Sequence, residues 1–198
     1  MKKIIILPLL AAALPLLVGG CATKAHYIQT GGRESLVNVN QINIQDFIQA
    51  ADSATSDLLA SGRLDKVATP PAIIAISRIV NNTGQQIDTD LLTKKIRVAL
   101  LNSGKAQTTT TMGLGGTAED PMAKGLQQEN EFANDQKATR KPDFTLSGKI
   151  IETTAKSGNT SQSTYSFQLS LTDAKTGLAV WEGEKEITKQ GTRSSVGF

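Results

Sequence analysis

The sequence predicts a single α/β (α+β) sandwich: one mixed sheet with helices packed on one side of it. Three observations lead there. STYSFQLSLTD sets Tyr165, Phe167, Leu169 and Leu171 in strict alternation with polar residues, the pattern of a strand with one dry and one wet face. PPAIIAISRIV is short and nearly continuously apolar, as expected of a strand covered on both sides. The element order is helix, strand, helix, strand, weak helix, then three strands, and a half-wet sheet of this kind needs helices behind its dry face.

The first helix is expected in QDFIQAADSATSDLLASGRL, where Phe47, Ala51, Ala54 and Leu58 recur at helical spacing and Gly62 supplies a C-terminal cap. Ahead of it, SLVNVNQINI alternates Val37 and Val39 with asparagines, giving a short strand or an extended segment. After the PPAIIAISRIV strand, NNTGQQ reads as a turn. The clearest helix follows in IDTDLLTKKIRVALLNSG, with Asp88 as its N-cap, Leu92, Ile96, Ala99 and Leu100 on one face and Gly104 as its stop. Lys94, Lys95 and Arg97 are expected on its solvated side, complementing the C-terminal dipole. KAQTTTTM is β-prone and predicts an edge strand.

Beyond it the Gly-rich MGLGGTAED lacks the Lys-Ser/Thr pair of a phosphate-cradling loop and reads as a connection. Asp120 and Pro121 can start a helix that uses Met122, Leu126 and Ala133, although Gly125 weakens it. DFTLSGKIIETTA turns through Gly158-Asn159 into STYSFQLSLTD, and a turn at Gly177 leads to LAVWEGEKEIT.

The N-terminus has a different character. Lys2 and Lys3 precede an apolar run from Ile4 to Val18 that ends in Gly19-Gly20, the design of a secretory signal. The run is shorter than the ~20 residues of a membrane span, and Pro8 and Pro15 interrupt it. Cys21, the only cysteine, follows directly. A nucleophilic or metal role is disfavoured, because the only histidine, His26, sits in the same polar segment with nothing to hold it against the thiol. VGGC instead resembles the lipobox of bacterial lipoproteins, with Val18 where the strict pattern has Leu. That implies a diacylglyceryl thioether on Cys21, cleavage before it and acylation of the new amine. Ala22 rather than Asp after the cysteine implies sorting to the outer membrane. The expected organisation is therefore a signal at 1–20, a lipidated tether at 21–43 and one globular domain at 44–198.

Loss of Lys2 and Lys3 with the signal lowers the net charge from +3 to +1, so nucleic acid is a disfavoured partner. Glu182, Glu184 and Glu186 share one side of a strand, where a glycosidase pair would need a cleft. A row of acids on a wet face is more simply an edge that resists pairing. Trp181 is expected in the core rather than against a sugar. No catalytic residue, metal ligand or cofactor is predicted. The loop after the first buried strand, with Arg78, Asn81 and Asn82, is the candidate partner contact, since a strand and a helix hold it in place.

The ordered set QDFIQAAD…LLASGRL, RIVNNTGQQIDTDLLTKKIRVALLNSGK, DFTLSGKI and TGLAVWEGEKEITKQ, from Ile44 to Gln190, resembles the LpoB-type penicillin-binding-protein activators. The resemblance implies a domain related to the N-terminal domain of TolB. It also implies a non-enzymatic outer-membrane lipoprotein, facing the periplasm, that binds and stimulates a class A (bifunctional) penicillin-binding protein in peptidoglycan synthesis. The alternative use of such a fold is an envelope-assembly lipoprotein docking to a flagellar or secretion-associated complex. Where well-known members carry a long Pro-rich tether, about twenty residues here would reach ~70 Å fully stretched, or ~25 Å as a coil.

Overall fold

A computed structural model of the chain describes residues 25–111, 119–133 and 140–192. The first helix, α1 (Ile44–Ala60), begins at a reciprocal cap. The Asn43 side chain accepts from the Gln45 and Asp46 amides, and the Asp46 carboxylate accepts from the Asn43 amide at 2.7 Å. Phe47, Ala50, Ala51, Ala54 and Leu58 are buried along one stripe, and Gly62, at φ +64°, turns the chain away.

The apolar run then splits. Strand β1 (Ala72–Ile76) ends early, the Ser77 amide and hydroxyl both donate to the Leu146 carbonyl, and β2 (Val80–Asn82) starts at the last residue of the expected strand and takes in the first two of the expected turn. Both run parallel to β4 (Phe144–Ser157): β1 along its start, from Ile74↔Phe144 to Ile76↔Leu146, and β2 along its middle, from Val80↔Lys149 to Asn82↔Ile151. Asn81 and Asn82 are thus strand residues rather than turn residues. The backbone amides of this polar triplet find partners on β4, a long-range gain that local propensity does not register.

Helix α2 (Asp90–Asn102) buries Leu92, Ile96 and Leu100 as expected, with Ala99 half-buried. Its N-cap is Thr89, not Asp88; the Asp88 carboxylate instead accepts from the Asp90 amide at 2.9 Å. Arg97 corrects the solvated-face expectation, being 8% exposed and paired with Glu119. Burial pulls its guanidinium below the usual arginine range. Lys94 joins the same carboxylate at 3.1 Å.

Strand β3 (Ala106–Thr108) pairs parallel with β1 and is an edge, as predicted. Helix α3 (Pro121–Phe132) starts with Asp120 capping the Ala123 amide and Pro121 in its first turn. It buries nothing: Met122 and Leu126 are exposed rather than packed. Its remaining faces are polar, so the helix has no stripe wide enough to hold it on the sheet. The Gly-rich stretch at 112–118 lies outside the described residues.

The last three strands form a meander. β4, β5 (Thr160–Asp173) and β6 (Ala179–Thr192) pair antiparallel, turning at Gly158 (φ +56°) and Gly177 (φ +71°). The full order is β3-β1-β4-β5-β6, with β2 beside β4 past the end of β1. Tyr165, Phe167, Leu169 and Leu171 face the helices, and Phe47 meets Phe167 edge to face at 6.1 Å between ring centroids. Trp181 is half-buried on the same side, lying over Gly183, where a Cβ would fall 2.4 Å from the indole. Gly148 does the same for Leu169, at 2.5 Å. The result is a mixed sheet with α1 and α2 on one face, the predicted α+β sandwich.

Candidate functional site

Because side chains alternate along each strand, the face away from α1 and α2 collects the polar partners of the core residues. In register across the sheet these are Val80 and Asn82 on β2, Ser147 and Lys149 on β4, Gln168 and Ser170 on β5, and Glu182 and Glu184 on β6. They line an open groove of about 810 Å³.

The β6 carboxylates are organised by β5. Ser166 Oγ and Gln168 Nε2 (2.7 Å) both donate to Glu184, and Ser170 Oγ donates to Glu182 at 3.3 Å. The bonds from Gln168 and then Ser166 hold the Glu184 carboxyl below the usual glutamate range. The sign follows: these bonds favour the folded state above the ordinary glutamate pKa and are lost as pH falls through the lowered one. NMR titration of the Glu184 carboxyl is expected to show the low value, and Gln168→Leu should move it upward. An unchanged titration in that variant would detach the shift from the observed contact.

Arg78 and Asn82 are exposed, Asn82 lining this groove and Arg78 in the step before β2. Asn81 is turned inward. Its Oδ1 accepts from the Thr83 amide (3.0 Å) and hydroxyl (2.8 Å), and its Nδ2 donates to the Gln85 carbonyl at 2.7 Å. Cys21 lies outside the described residues. The groove residues on β4, β5 and β6 follow from wet-face alternation once neighbouring strands are set in register. Val80 does not, because the sequence reads it as the end of a buried strand.

A second polar assembly sits on the helix side, at the end of the sheet where the N-terminal segment arrives. That segment's contacts with β5 and β6 include Val39, inside the expected tether. Val39 packs over Gly191, where a Cβ would fall 2.5 Å from Val39 Cγ2. The Tyr165 hydroxyl donates to the Val39 carbonyl (3.5 Å), Ser163 Oγ to Asn40 Oδ1 (3.3 Å) and Lys189 Nζ to the Gln41 carbonyl (2.7 Å). Lys189 also pairs with Asp46, both buried, and lies 5.6 Å from the Tyr165 ring centre. The Ile42 amide donates to Gln85 Oε1 at 2.9 Å, and Gln85 Nε2 donates to the Tyr165 hydroxyl at 2.9 Å. Burial above all raises the Tyr165 phenol above its ordinary range, keeping it protonated and able to donate.

Among the described residues no group of three or more His, Cys, Asp or Glu is placed to hold a metal ion, and no helix is long and apolar enough to cross a membrane. A sheet shielded by helices on one face and open on the other along a polar groove has the form of a binding domain. The model for the peptidoglycan-synthase activator LpoB family matches residues 46–187, and the chain belongs to that family. The family consists of regulatory activators of penicillin-binding proteins in peptidoglycan biosynthesis rather than of enzymes, and its members are outer-membrane-anchored lipoproteins.

Among solved structures, the chain is similar to the LpoB C-terminal domain from Salmonella enterica at 18% identity and a TM-score of 0.45, covering 72% of this chain and 98% of that one. The NMR structure of Escherichia coli LpoB is similar at 15% identity and a TM-score of 0.44, covering 96% and 94%. Lipoprotein GNA1162 from Neisseria meningitidis gives 18% and 0.39, covering 64% and 88%. Among curated proteins, none matches.

Proposed function

We propose that this domain binds and stimulates a bifunctional, class A penicillin-binding protein, with the bare sheet face as its docking surface and Arg78 and Asn82 at the rim. An acylated Cys21 holds it at the outer membrane with the domain facing the periplasm. The observation that carries the reading is the family match over residues 46–187, which runs from α1 into β6 and so takes in five strands entire and most of the sixth. The open groove supports it as well, since a strand-built face presents its side chains in fixed positions and needs no ordering on contact. Asn81 serves this surface indirectly, by shaping the loop after β2. Stimulation requires only that the domain bind the active state of the synthase more tightly than the inactive one. The sequence before Cys21 supports the anchor, with several acyl chains at ~0.8 kcal/mol per buried methylene.

The test is a glycan-polymerisation assay with the full chain in detergent and the class A synthase of the same cell. Faster polymerisation is expected. Arg78→Glu combined with Asn82→Ala should weaken association about tenfold, roughly 1.4 kcal/mol, at an unchanged melting temperature. Cys21→Ser should leave stimulation in detergent intact while removing the protein from the outer-membrane fraction of cells. Absence of both association and acceleration would overturn the activator reading for this synthase class. Persistence of Cys21→Ser in the outer membrane would overturn the anchor.

A further inference from the structure

Gln85 joins the segment entering α1 to the loop leaving β2. Its amide is used at both ends: Oε1 takes the Ile42 amide proton and Nε2 donates to Tyr165. Its own backbone carbonyl takes Asn81 Nδ2. The other bonds of the Asn81–Gln85 loop are mostly local, from the Thr83 amide to Asn81 Oδ1 and from the Gln85 amide to Thr83 Oγ1, and these shape the loop without fixing its direction. Asn81 and Asn82 are held by the β2–β4 ladder, and past them direction comes from Gln85 and from the Gly84 amide bond to Glu152 Oε2 at 3.2 Å. On the far side of Gln85, Val39, Asn40 and Gln41 are each fastened to β5 or β6.

We infer that Val39–Ile42 is a strap whose docking sets the position of the Asn81–Gln85 loop through Gln85, making Gln85 a positioning residue for the rim of the bare sheet face. If the strap lifts, Ile42 withdraws its donor from Gln85 and the amide loses half of its partners. Gln85 is then free to release Tyr165 and with it the orientation of the loop. Coupling of this kind is reciprocal, so a partner that grips the loop tightens the strap by the same factor. The strap continues toward Cys21, and the arrangement gives the N-terminal segment a means of reporting its state at the docking surface. The functional side of the inference rests on the loop's being part of the synthase contact; the coupling itself does not.

The test is amide hydrogen exchange on the full chain in detergent. Val39→Ala removes the side chain that fills the space over Gly191, and Gln85→Met keeps the length of residue 85 without its hydrogen bonds. Val39→Ala is expected to speed exchange at Ile42 and also at Thr83 and Gln85, by about fivefold, while the central β4–β5 amides keep their protection. In the Gln85→Met background the same Val39→Ala change should add nothing at the loop. Faster exchange at Ile42 alone would overturn the inference. So would additive effects at the loop, or an equal loosening of the whole meander, since each would mean that the effect bypasses Gln85. Because no synthase enters this measurement, a coupled loop in a protein whose stimulation is indifferent to Gln85→Met would count against the contact reading and leave the coupling standing.

Discussion

Lys189→Met is expected to destabilise the domain by about 3–5 kcal/mol, because it leaves the Asp46 carboxylate buried without its counter-charge. Asp46 is only 3% exposed and Lys189 8%, so water reaches neither readily. The loss is larger than for a surface pair, and includes the bond from Lys189 to the Gln41 carbonyl and the cation's place by the Tyr165 ring. Removing both charges tells cost from contribution. Asp46→Asn with Lys189→Met keeps an acceptor for the Asn43 amide while abolishing the stranded charge, and should recover a large part of the loss. Urea unfolding of the two single variants and the double variant provides the cycle. If the double variant is as unstable as the sum of the singles, the two residues act independently and the pair is not what holds this end together.

Phe167→Ala should cost about 3–5 kcal/mol as well, for a different reason. Its ring is 3% exposed, sits at the centre of β5 and meets Phe47 of α1 edge to face, so its removal opens a cavity between the sheet and the helix. Gln168→Ala, one residue along, lies on the groove side and should cost little beyond its bond to Glu184. Thermal unfolding separates the two at roughly 2–4 °C per kcal/mol. Comparable losses at positions 167 and 168 would contradict the facing of β5.

The meander was the most legible part of this chain, because four alternating apolar residues leave a strand only one way to face. The helices α1 and α2 were legible for the corresponding reason at a period of 3.6. What escaped is what depends on a distant partner. Arg97 looks like a surface cation until Glu119 is placed beside it from the far side of a connection. Lys189 alternates inward with Ile187 and Gly191, yet an inward lysine has no reading without Asp46, 143 residues earlier. β2 is three residues long and mostly polar, and only the register of β4 makes it a strand. Of the candidate contact residues, Arg78 lies in the step between β1 and β2, whereas Asn81 and Asn82, expected in a loop, belong to β2. The inward turn of Asn81 was not legible, because a short polar side chain shapes a loop or faces a partner with equal ease.

The topology also fixes an order of events along the chain. β4, β5 and β6 are neighbours in sequence as well as in space, so two tight turns suffice to build them. β1 has no such local partner. Its sheet bonds reach across α2 to the short β3 and then to β4, and the Ile73 amide is taken by the Asp143 carboxylate 70 residues further on. α1, β1 and α2 therefore have no complete surface on which to bury Phe47, Ile74 or Leu100 until the last third of the chain has arrived. A polypeptide that emerges N-terminus first must keep this half open, its apolar stripes waiting, until the meander forms the floor beneath them. The Val39–Ile42 strap lies ahead of every helix and strand among the described residues, yet it has nothing to seal onto until Lys189 and Gly191 arrive at the other end of the molecule's history.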